Sequence, residues 1–239
     1  SLTDRLQTTE TLRRRFVSDA SHELKTPLAA IRLLTDSILQ TDNMDMETVR
    51  DFVTDIGSEA ERLSRITEDL LRLTRLDSNQ VDPPEVVEVA PVLEQVMRMM
   101  SLLAQEKGTE LTCQTGGDCR VLATKGEVHQ VIYNLTDNAV KYSGSHGSVR
   151  VELRRDGNDV VLTVADNGPG IPEEDLPRVF ERFYRVDKAR SRAAGGTGLG
   201  LSIVQDTVTK RGGTVSAANR PEGGAVFTVR WPAYRVRRF

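Results

Sequence analysis

The pattern of hydrophobic and polar residues divides the chain into two parts. Residues 1–78 hold one glycine and one proline, and their apolar residues recur at helical spacing. The rest of the chain holds nearly all of the glycines and shows the alternating runs that are typical of strands. Between the two parts, the polar and proline-containing stretch 79–85 predicts a linker. We therefore predict a helical domain over 1–78 and a second domain over 86–239.

The first part predicts two long helices, one ending at Gln40 and one running from Met46 to Leu76. In the second helix, apolar residues repeat at heptad spacing in two series, the second of which is interrupted by Glu59. The series are Val49, Ile56, Leu63 and Leu70, and Phe52, Ile66 and Leu73. Because a lone hairpin cannot bury both apolar stripes, we predict a homodimer in which two hairpins form a four-helix bundle. Packing against the second part of the same chain is the alternative.

A histidine lies on the first helix, opposite its apolar stripe. His22 is about 160° from Leu24 on the helical wheel, so we expect the imidazole to face outward. Thr26 lies one turn later on the same face, where its hydroxyl can orient a water molecule or a phosphoryl oxygen. Glu23 can orient the imidazole or accept its proton, although adjacent residues do not share a helix face. Pro27 predicts a bend in the helix. A proline inside a helix destabilises it by about 3 kcal/mol, so a purely structural bundle has no reason to retain this residue.

The segment SHELKTPL, residues 21–28, resembles the phospho-acceptor box of the bacterial two-component sensor histidine kinases. The resemblance implies that His22 is the phosphorylated residue. It also implies that Glu23 is the acid–base partner of His22 and that Thr26 assists a phosphatase activity.

The second part predicts an α/β sandwich built around a nucleotide. The first predicted elements are a strand, a helix that ends before Gly108 and a strand over 109–114. A helix over 124–143 and two strands, over 148–156 and 159–168, follow. The last elements are a helix over 199–210 and a closing hairpin that ends at 232. Together with the helical hairpin, they predict the α+β class.

A polar stripe marks the middle helix of this part. Thr124 and Glu127 form a capping-box pattern at its start. Farther along, Asn134, Asn138 and Lys141 fall on one stripe beside the apolar face. Asparagine is a weaker helix former than the residues that solvated faces favour, so the stripe predicts an oxygen-ligating site for a hard cation and its phosphates.

Two glycine-rich segments predict contacts with a ligand. Asp166 ends a buried strand in DNGPGI, where its carboxylate can accept a hydrogen bond from an exocyclic amine and so distinguish adenine from guanine. Gly168 and Gly170 allow the backbone to turn tightly near a ligand. The segment GGTGLGL, residues 195–201, opens a helix, and its backbone N–H groups together with the helix dipole attract anions.

Four boxes in this order resemble the catalytic ATP-binding domain of histidine kinases, which shares its fold with gyrase-type ATPases. They are NLTDNAVKY (the asparagine box), DNGPGI (the first glycine box), FERFYR (the phenylalanine box) and GTGLGL (the second glycine box). Residues 186–196 are charged and rich in small side chains, which predicts a mobile lid. The resemblance implies that Asn134 and Asn138 lie near Mg²⁺, that Lys141 contacts phosphate and that Arg185 lies near the terminal phosphate. It places the remaining nucleotide contacts at Tyr142, Asp166, Gly168, Gly170, Ile171, Phe180, Phe183, Gly196, Thr197, Gly198, Leu199, Gly200 and Leu201.

The expected function is therefore ATP-dependent autophosphorylation of His22, with Mg²⁺ as the metal. The resemblance implies transfer of the phosphoryl group to an aspartate of a response regulator receiver domain, together with phosphatase activity toward that regulator. Two alternatives are a gyrase-type ATPase or Ser/Thr protein kinase of the same fold, and a catalytically silent dimeric adaptor. The box SHELKTPL argues against the first, and the intact Asn134, Asn138 and Asp166 argue against the second.

The composition of the chain limits the classes of partner that it is expected to bind and indicates its location in the cell. Charged residues make up 28% of the chain and its net charge is -3, which gives no general reason to bind nucleic acid or an anionic membrane. No apolar run approaches the roughly 18 residues of a transmembrane helix, so no direct membrane contact is expected in this fragment. We expect the chain to be the cytoplasmic portion of an inner-membrane receptor.

Overall fold

The structure is a computed structural model that describes residues 2–78, 82–144, 146–187 and 196–235, with the backbone alone for residues 2–6. Its contacts divide the chain into two compact units, Ser1–Arg72 and Leu73–Phe239. The division falls inside the second helix, so the last turn of that helix belongs to the second unit.

The first unit is built from two long helices, α1 (Leu2–Gln40) and α2 (Met46–Asp77), which form the predicted hairpin. Asp45 caps the start of α2, because its carboxylate accepts hydrogen bonds from the backbone N–H of Thr48 at 2.8 Å and from the Thr48 hydroxyl at 2.7 Å. These bonds lower the pKa of the Asp45 carboxyl.

Helix α1 continues through Pro27, whose side chain is buried. The hydroxyl of Thr26 donates a hydrogen bond of 3.2 Å to the carbonyl oxygen of His22, one turn earlier. Bonds of this kind are common where a serine or threonine lies within a helix. The proline therefore lies within a single helical element.

The side chains of the predicted heptad seam of α2 are buried or half-buried. Ile66 and Leu73 are fully buried, and the other apolar residues of the two series are half-buried. Eight large apolar side chains of α1 and α2 that lie outside this seam are more than half exposed. They are Leu12, Val17, Leu28, Leu33, Leu39, Met46, Val53 and Leu71.

Beyond the last turn of α2, the described residues of the second unit form three helices and seven strands. The helices are α3 (Val89–Glu106), α4 (Lys125–Tyr142) and α5 (Gly200–Lys210), and a 3₁₀ turn spans Leu176–Arg178. The strands are β1 (Glu85–Glu88), β2 (Glu110–Gly116), β3 (Arg120–Ala123), β4 (Ser148–Asp156), β5 (Asp159–Asp166), β6 (Thr214–Asn219) and β7 (Ala225–Pro232).

The main sheet has five strands in the order β2-β4-β5-β7-β6, with β2 parallel to β4 and every other pair antiparallel. At its centre Leu162 of β5 lies opposite Leu153 of β4 and Val229 of β7, and all three side chains are buried. The helices contribute the other half of the same core. The predicted apolar face of α4, at Val128, Val131, Ile132, Leu135 and Ala139, is buried there. This arrangement is the predicted α/β sandwich.

A second, two-stranded sheet is made of β1 and β3 in antiparallel register. Neither the four-residue strand β3 nor this pairing was predicted. Helix α3 begins at Val89, two residues before Pro91, in the first turn where a proline is tolerated. In the described part of the chain, no helix is long and apolar enough to cross a membrane.

Candidate nucleotide and phospho-acceptor sites

His22 is exposed on α1, as its position on the helical wheel predicts. Its neighbour Glu23 is different, because only 21% of the Glu23 side chain is exposed and its carboxylate lies 3.6 Å from the guanidinium of Arg62 in α2. Thr26 is half-buried. The exposed imidazole is accessible to an incoming reactant, whereas the carboxylate beside it is held in the hairpin.

Asp166 ends β5 and is 4% exposed. Its Oδ1 accepts hydrogen bonds from the backbone N–H groups of Gly168 at 2.8 Å and Ala225 at 3.3 Å. Burial raises the pKa of the Asp166 carboxyl, and these two bonds and the charge of Arg220 offset part of that rise. The bonds occupy Oδ1, so Oδ2 is the oxygen that can accept a hydrogen bond from the amine of a ligand.

Gly168 turns the backbone directly after Asp166. A Cβ atom at this position would collide with the backbone carbonyl oxygen of Tyr142 and lie 3.0 Å from Oδ1 of Asp166. The end of α4 and the end of β5 therefore approach one another at a point where a side chain cannot fit, and this close approach brings Tyr142 beside the carboxylate.

The next residues of the first glycine box are held by Asn219, at the end of β6. The Asn219 amide accepts a hydrogen bond of 2.8 Å from the backbone N–H of Ile171 and donates one of 2.6 Å to the carbonyl oxygen of the same residue. Arg220 donates a hydrogen bond of 2.8 Å to the backbone carbonyl oxygen of Asp166. Gly170 lies in the loop between Asp166 and Ile171, the two residues that these hydrogen bonds hold. The hairpin of β6 and β7 thus fixes the loop that follows Asp166.

Asn134 ties α4 to the start of α5. Its amide nitrogen donates a hydrogen bond of 3.2 Å to the carbonyl oxygen of Gly200, and its Oδ1 accepts one of 2.9 Å from the side chain of Gln130. Both functional groups of the amide are therefore bound within the protein. Oδ1 still has a second lone pair for a cation.

Asn138 and Lys141 continue the same stripe of α4. Asn138 is half-buried, and its amide makes no hydrogen bond to any other residue that the structure describes. The ammonium of Lys141 lies 2.6 Å from the carboxylate of Asp137, one turn earlier. A phosphate group that binds Lys141 must share this ammonium with Asp137.

The phenylalanine box contributes a core residue and a strained residue. Phe180 packs against the core, with its ring edge-to-face to that of Phe227 at a centroid distance of 6.2 Å. Phe183 has a φ of 63°, which is uncommon for a bulky side chain. Its backbone N–H donates a hydrogen bond of 2.8 Å to the carbonyl oxygen of Gly198. This bond joins the phenylalanine box to the second glycine box.

Arg185 makes a second connection between the two boxes, because its Nη2 donates a hydrogen bond of 2.8 Å to the carbonyl oxygen of Thr197. Gly198 lies beside it with a φ of +76°, and a Cβ atom there would lie 3.1 Å from both Nε of Arg185 and Cα of Phe183. Gly198 is thus required both for its backbone conformation and for the close approach of the two boxes.

The second glycine box leads into the N-terminus of α5. The backbone N–H of Leu199 donates to the hydroxyl of Thr197 at 3.2 Å, and the N–H of Ile203 makes the first helical bond, to the carbonyl oxygen of Leu199. The N–H groups at 200–202 are the first-turn donors that a helix leaves without helical partners, and they suit the oxygens of a phosphate. Gly196 precedes this turn and Leu201 lies within it.

The structure places the predicted residues in two groups. His22, Glu23 and Thr26 lie on the first unit, and the residues predicted to contact the nucleotide lie on the second. Contacts on the second unit join α4 to the first glycine box, α4 to the start of α5, and the phenylalanine box to the second glycine box. Most of the predicted lid, residues 188–195, lies outside the described residues. Four further residues of these sites were not predicted. Arg62, Asn219 and Arg220 act through contacts between distant parts of the chain, which no local motif specifies. Gln130 lies one helical turn before Asn134, so the spacing of these two residues is the signal that could have identified it.

Two family models match the chain, one for each group of residues. Residues 12–79 match the His Kinase A (phospho-acceptor) domain, and residues 124–235 match the histidine kinase-, DNA gyrase B- and HSP90-like ATPase. The chain belongs to the histidine kinases. The two domains of this histidine kinase follow one another in the order that the motifs predict.

A named relative aligns with most of this chain. The histidine kinase chain is 37% identical over 226 residues to the sensor-like histidine kinase SenX3 of Mycolicibacterium smegmatis, an alignment that covers 94% of this chain and 59% of SenX3. The chain thus spans less than two thirds of the length of that relative.

Solved structures share the fold. The chain matches ShkA in complex with AMPPNP with a TM-score of 0.66 and 29% identity, over 93% of this chain and 47% of ShkA. It matches the histidine kinase ThkA, solved in complex with the response regulator protein TrrA, with a TM-score of 0.74 over 96% of this chain and 66% of that one. At 21% identity the second match shows the fold alone.

Proposed function

We propose that this chain uses ATP to phosphorylate His22 and passes the phosphoryl group to an aspartate of a response regulator. The observation that carries the proposal is the exposure of His22 on α1, within a phospho-acceptor domain that is followed by an ATPase domain.

We also propose that the chain has two domains, over 1–78 and 86–239, joined by a linker over 79–85. As the relatives named sensors are longer, the chain would form the cytoplasmic output portion of an inner-membrane receptor.

The nucleotide would bind at the ends of β5, α4 and α5. Asp166 is suited to bind adenine, because its Oδ2 can accept a hydrogen bond from the exocyclic amine while Oδ1 remains bound to the backbone. The first turn of α5 is suited to bind phosphate through N–H groups at 200–202. Tyr142, Ile171 and the phenylalanine-box residues would line the rest of this site. The relative ShkA, which shares the fold, was solved with AMPPNP.

The residues of the α4 stripe fit a magnesium ion. Amide oxygens are among the ligands that such hard cations take, and the Asn138 amide is not engaged by any other described residue. Asn134 would contribute the second lone pair of its Oδ1, with the amide held in orientation by Gln130 and Gly200. When bound, Mg²⁺ would neutralise charge on the phosphates.

The chemistry is phosphoryl transfer from ATP to an imidazole nitrogen. A bond forms between this nitrogen of His22 and the γ-phosphorus, the bond from that phosphorus to the bridging oxygen breaks, and ADP leaves with the electron pair. Glu23 accepts the proton that the other ring nitrogen gives up. Lys141 and Arg185 supply positive charge for the phosphate oxygens, so catalysis consists mainly of positioning and charge stabilisation.

The response regulator is the proposed acceptor of the phosphoryl group. The structure of ThkA, which shares the fold, contains a response regulator protein. We also propose phosphatase activity toward the phosphorylated regulator, in which the Thr26 hydroxyl orients water on the face of α1 that His22 occupies.

The first unit is proposed to form a homodimer, because its helices carry large apolar side chains that one chain leaves exposed. Leu33 is 69% exposed and Val53 55% exposed. A four-helix bundle of two hairpins would cover such residues. We expect Leu33→Glu to produce monomers in sedimentation experiments, whereas Arg32→Glu, at the neighbouring exposed position, leaves the dimer intact. A dimer that persists in Leu33→Glu argues against the bundle.

Incorporation of label from γ-labelled ATP tests the proposed activity. The wild-type chain is expected to acquire a label that acid removes and base does not. His22→Ala should acquire none, while calorimetry in the presence of Mg²⁺ shows that it binds nucleotide as the wild type does. An acid-stable label would indicate a Ser/Thr kinase, and absence of nucleotide binding by the wild type would indicate a silent adaptor.

A further inference from the structure

Arg62 is a buried arginine in the middle of α2. The residue is 6% exposed, and it lies on the side of the helix that also buries Ile66, one turn later. Arg62, Ile66 and Leu73 are the buried residues of α2, and the other two are apolar. Removing a guanidinium from water is costly unless a partner compensates. A leucine at this position would be buried without that cost. Packing alone therefore does not explain why an arginine occupies position 62.

The guanidinium faces the carboxylate next to the phospho-acceptor. Nη2 of Arg62 lies 3.6 Å from Oε2 of Glu23, and the exposed fractions of the two side chains are 7% and 21%. The pair joins α1 to α2, at positions 39 residues apart in the sequence. Other ion pairs of the hairpin connect exposed residues within α1, such as Arg14 with Glu10 and Arg32 with Asp36. The pair of Arg62 and Glu23 is thus more buried than these and is placed beside His22.

The position of Glu23 explains why it needs such a partner. Neighbouring residues on a helix point about 100° apart, so the Glu23 carboxylate does not share a face with the imidazole of His22. A glutamate side chain has three rotatable bonds and loses its freedom only when a contact holds it. The buried guanidinium provides a fixed charge on the facing helix that limits where the carboxylate can lie.

We propose that Arg62 is a positioning residue for the proton acceptor Glu23 in phosphoryl transfer to His22. The inference rests on the proposed function, since it assumes that Glu23 accepts the imidazole proton. In this role, Arg62 acts on the reaction through the Glu23 carboxylate. Its loss therefore slows the chemical step and leaves nucleotide binding unchanged.

The main experiment measures the rate of His22 phosphorylation at saturating ATP, together with the KM for ATP, in Arg62→Met. Methionine keeps an unbranched side chain in the buried position but has no charge, so a packing role predicts that it retains the rate. We expect the maximal rate to fall by about tenfold or more, a part of the roughly 10²- to 10⁴-fold that general acid–base catalysis contributes, with the KM unchanged. Arg65→Met, at an exposed position of α2, is the matched control and should retain the wild-type rate.

Two further variants separate positioning from structure. Arg62→Lys keeps a positive charge and is expected to recover part of the rate lost in Arg62→Met. In a Glu23→Gln background, Arg62→Met should have no further effect on the rate, because both substitutions remove the same contribution. Melting curves and ADP affinity establish that each variant is folded. If Arg62→Met does not fold, the comparison is made with Arg62→Lys and Arg62→Gln in both backgrounds.

The outcomes divide clearly. A wild-type rate in Arg62→Met overturns the inference, as does a loss of rate that is equally large in the wild-type and Glu23→Gln backgrounds. A wild-type rate in Glu23→Gln also overturns it, but leaves the proposed function standing as long as His22→Ala acquires no label. Label retained in His22→Ala removes the proposed function itself.

Discussion

Asp77, the last residue of α2, accepts hydrogen bonds of 2.9 and 3.1 Å from the guanidinium of Arg182. The same guanidinium donates at 3.0 Å to Asp206 of α5. Close by, the ammonium of Lys210 contacts the carbonyl oxygen of Leu76. All of these residues belong to the second unit, so the end of α2 is bound to the start of the phenylalanine box and to α5.

The first prediction follows from the shared guanidinium. Arg182→Gln leaves two carboxylates near one another without their common cation, and we expect it to destabilise the chain by roughly 1–2 kcal/mol. Asp77→Asn should cost less, because Arg182 keeps Asp206. Thermal denaturation measures both variants. Arg150→Gln, which removes an exposed pair with Glu152, is the control and should leave the melting temperature unchanged. Equal losses for Arg182→Gln and Asp77→Asn would argue against a shared cation.

The second prediction concerns the choice of nucleotide. In Asp166→Asn, the amide oxygen can keep the bonds from Gly168 and Ala225, which turns the NH₂ group toward the ligand. A donor would then face the exocyclic amine of adenine. We expect affinity for ATP to fall by about 10- to 100-fold, the worth of a hydrogen bond to a charged group, and the preference for ATP over GTP to shrink. Calorimetry with both nucleotides measures this. Unchanged discrimination would exclude Asp166 from base recognition.

The third prediction is a pH dependence of nucleotide affinity. The pKa of the Asp166 carboxyl lies above its ordinary value of 3.8 because the group is buried. As the pH falls through this raised pKa, the carboxylate is protonated and becomes a weaker acceptor for the hydrogen bond from the amine. Affinity for ATP should therefore weaken with acid earlier than for a carboxylate at its ordinary pKa. The buried charge also opposes folding above this pKa, so protonation removes a destabilising contribution as the pH falls.

Asp166→Asn is the control for this pH dependence. The phosphate groups of ATP titrate identically with either protein, so the difference between the two affinity profiles isolates the carboxyl. Parallel profiles for the wild type and the variant would contradict the prediction.

The fourth prediction separates the two asparagines of α4. Asn134→Ala removes hydrogen bonds to Gln130 and Gly200, so it should lower the melting temperature as well as nucleotide affinity. Asn138→Ala removes an amide with no hydrogen bond to another described residue, so it should weaken Mg²⁺-dependent ADP binding and leave the melting temperature unchanged. A stability loss as large in Asn138→Ala as in Asn134→Ala would contradict this division.

Local sequence signals predicted much of the fold. The hydrophobic spacing predicted the C-terminal end of α1 and both ends of α2 to within a residue. The capping box of Thr124 and Glu127 forms at the start of α4 as predicted. Both features depend on residues within a turn or two of one another. The strand β3 has only four residues and pairs with β1 across an intervening helix, so no local pattern marks it.

Contacts between distant residues account for what the sequence could not predict. The pairing of Lys141 with Asp137 follows from helical spacing, but the bond from Asn134 to Gly200 depends on how α4 packs against α5. The left-handed conformation of Phe183 likewise depends on its bond to Gly198, 15 residues later. Motif spacing thus located the candidate residues, and tertiary packing determined their partners.

Peptide mapping of the phosphorylated chain identifies the residue that carries the phosphoryl group. After incubation with γ-labelled ATP and Mg²⁺, digestion under mildly alkaline conditions preserves phosphohistidine and allows the label to be assigned to a peptide. The account predicts that the label lies in the peptide containing His22 and that acid releases it. Label on a serine, threonine or aspartate, or on His129 or His146, would contradict the account.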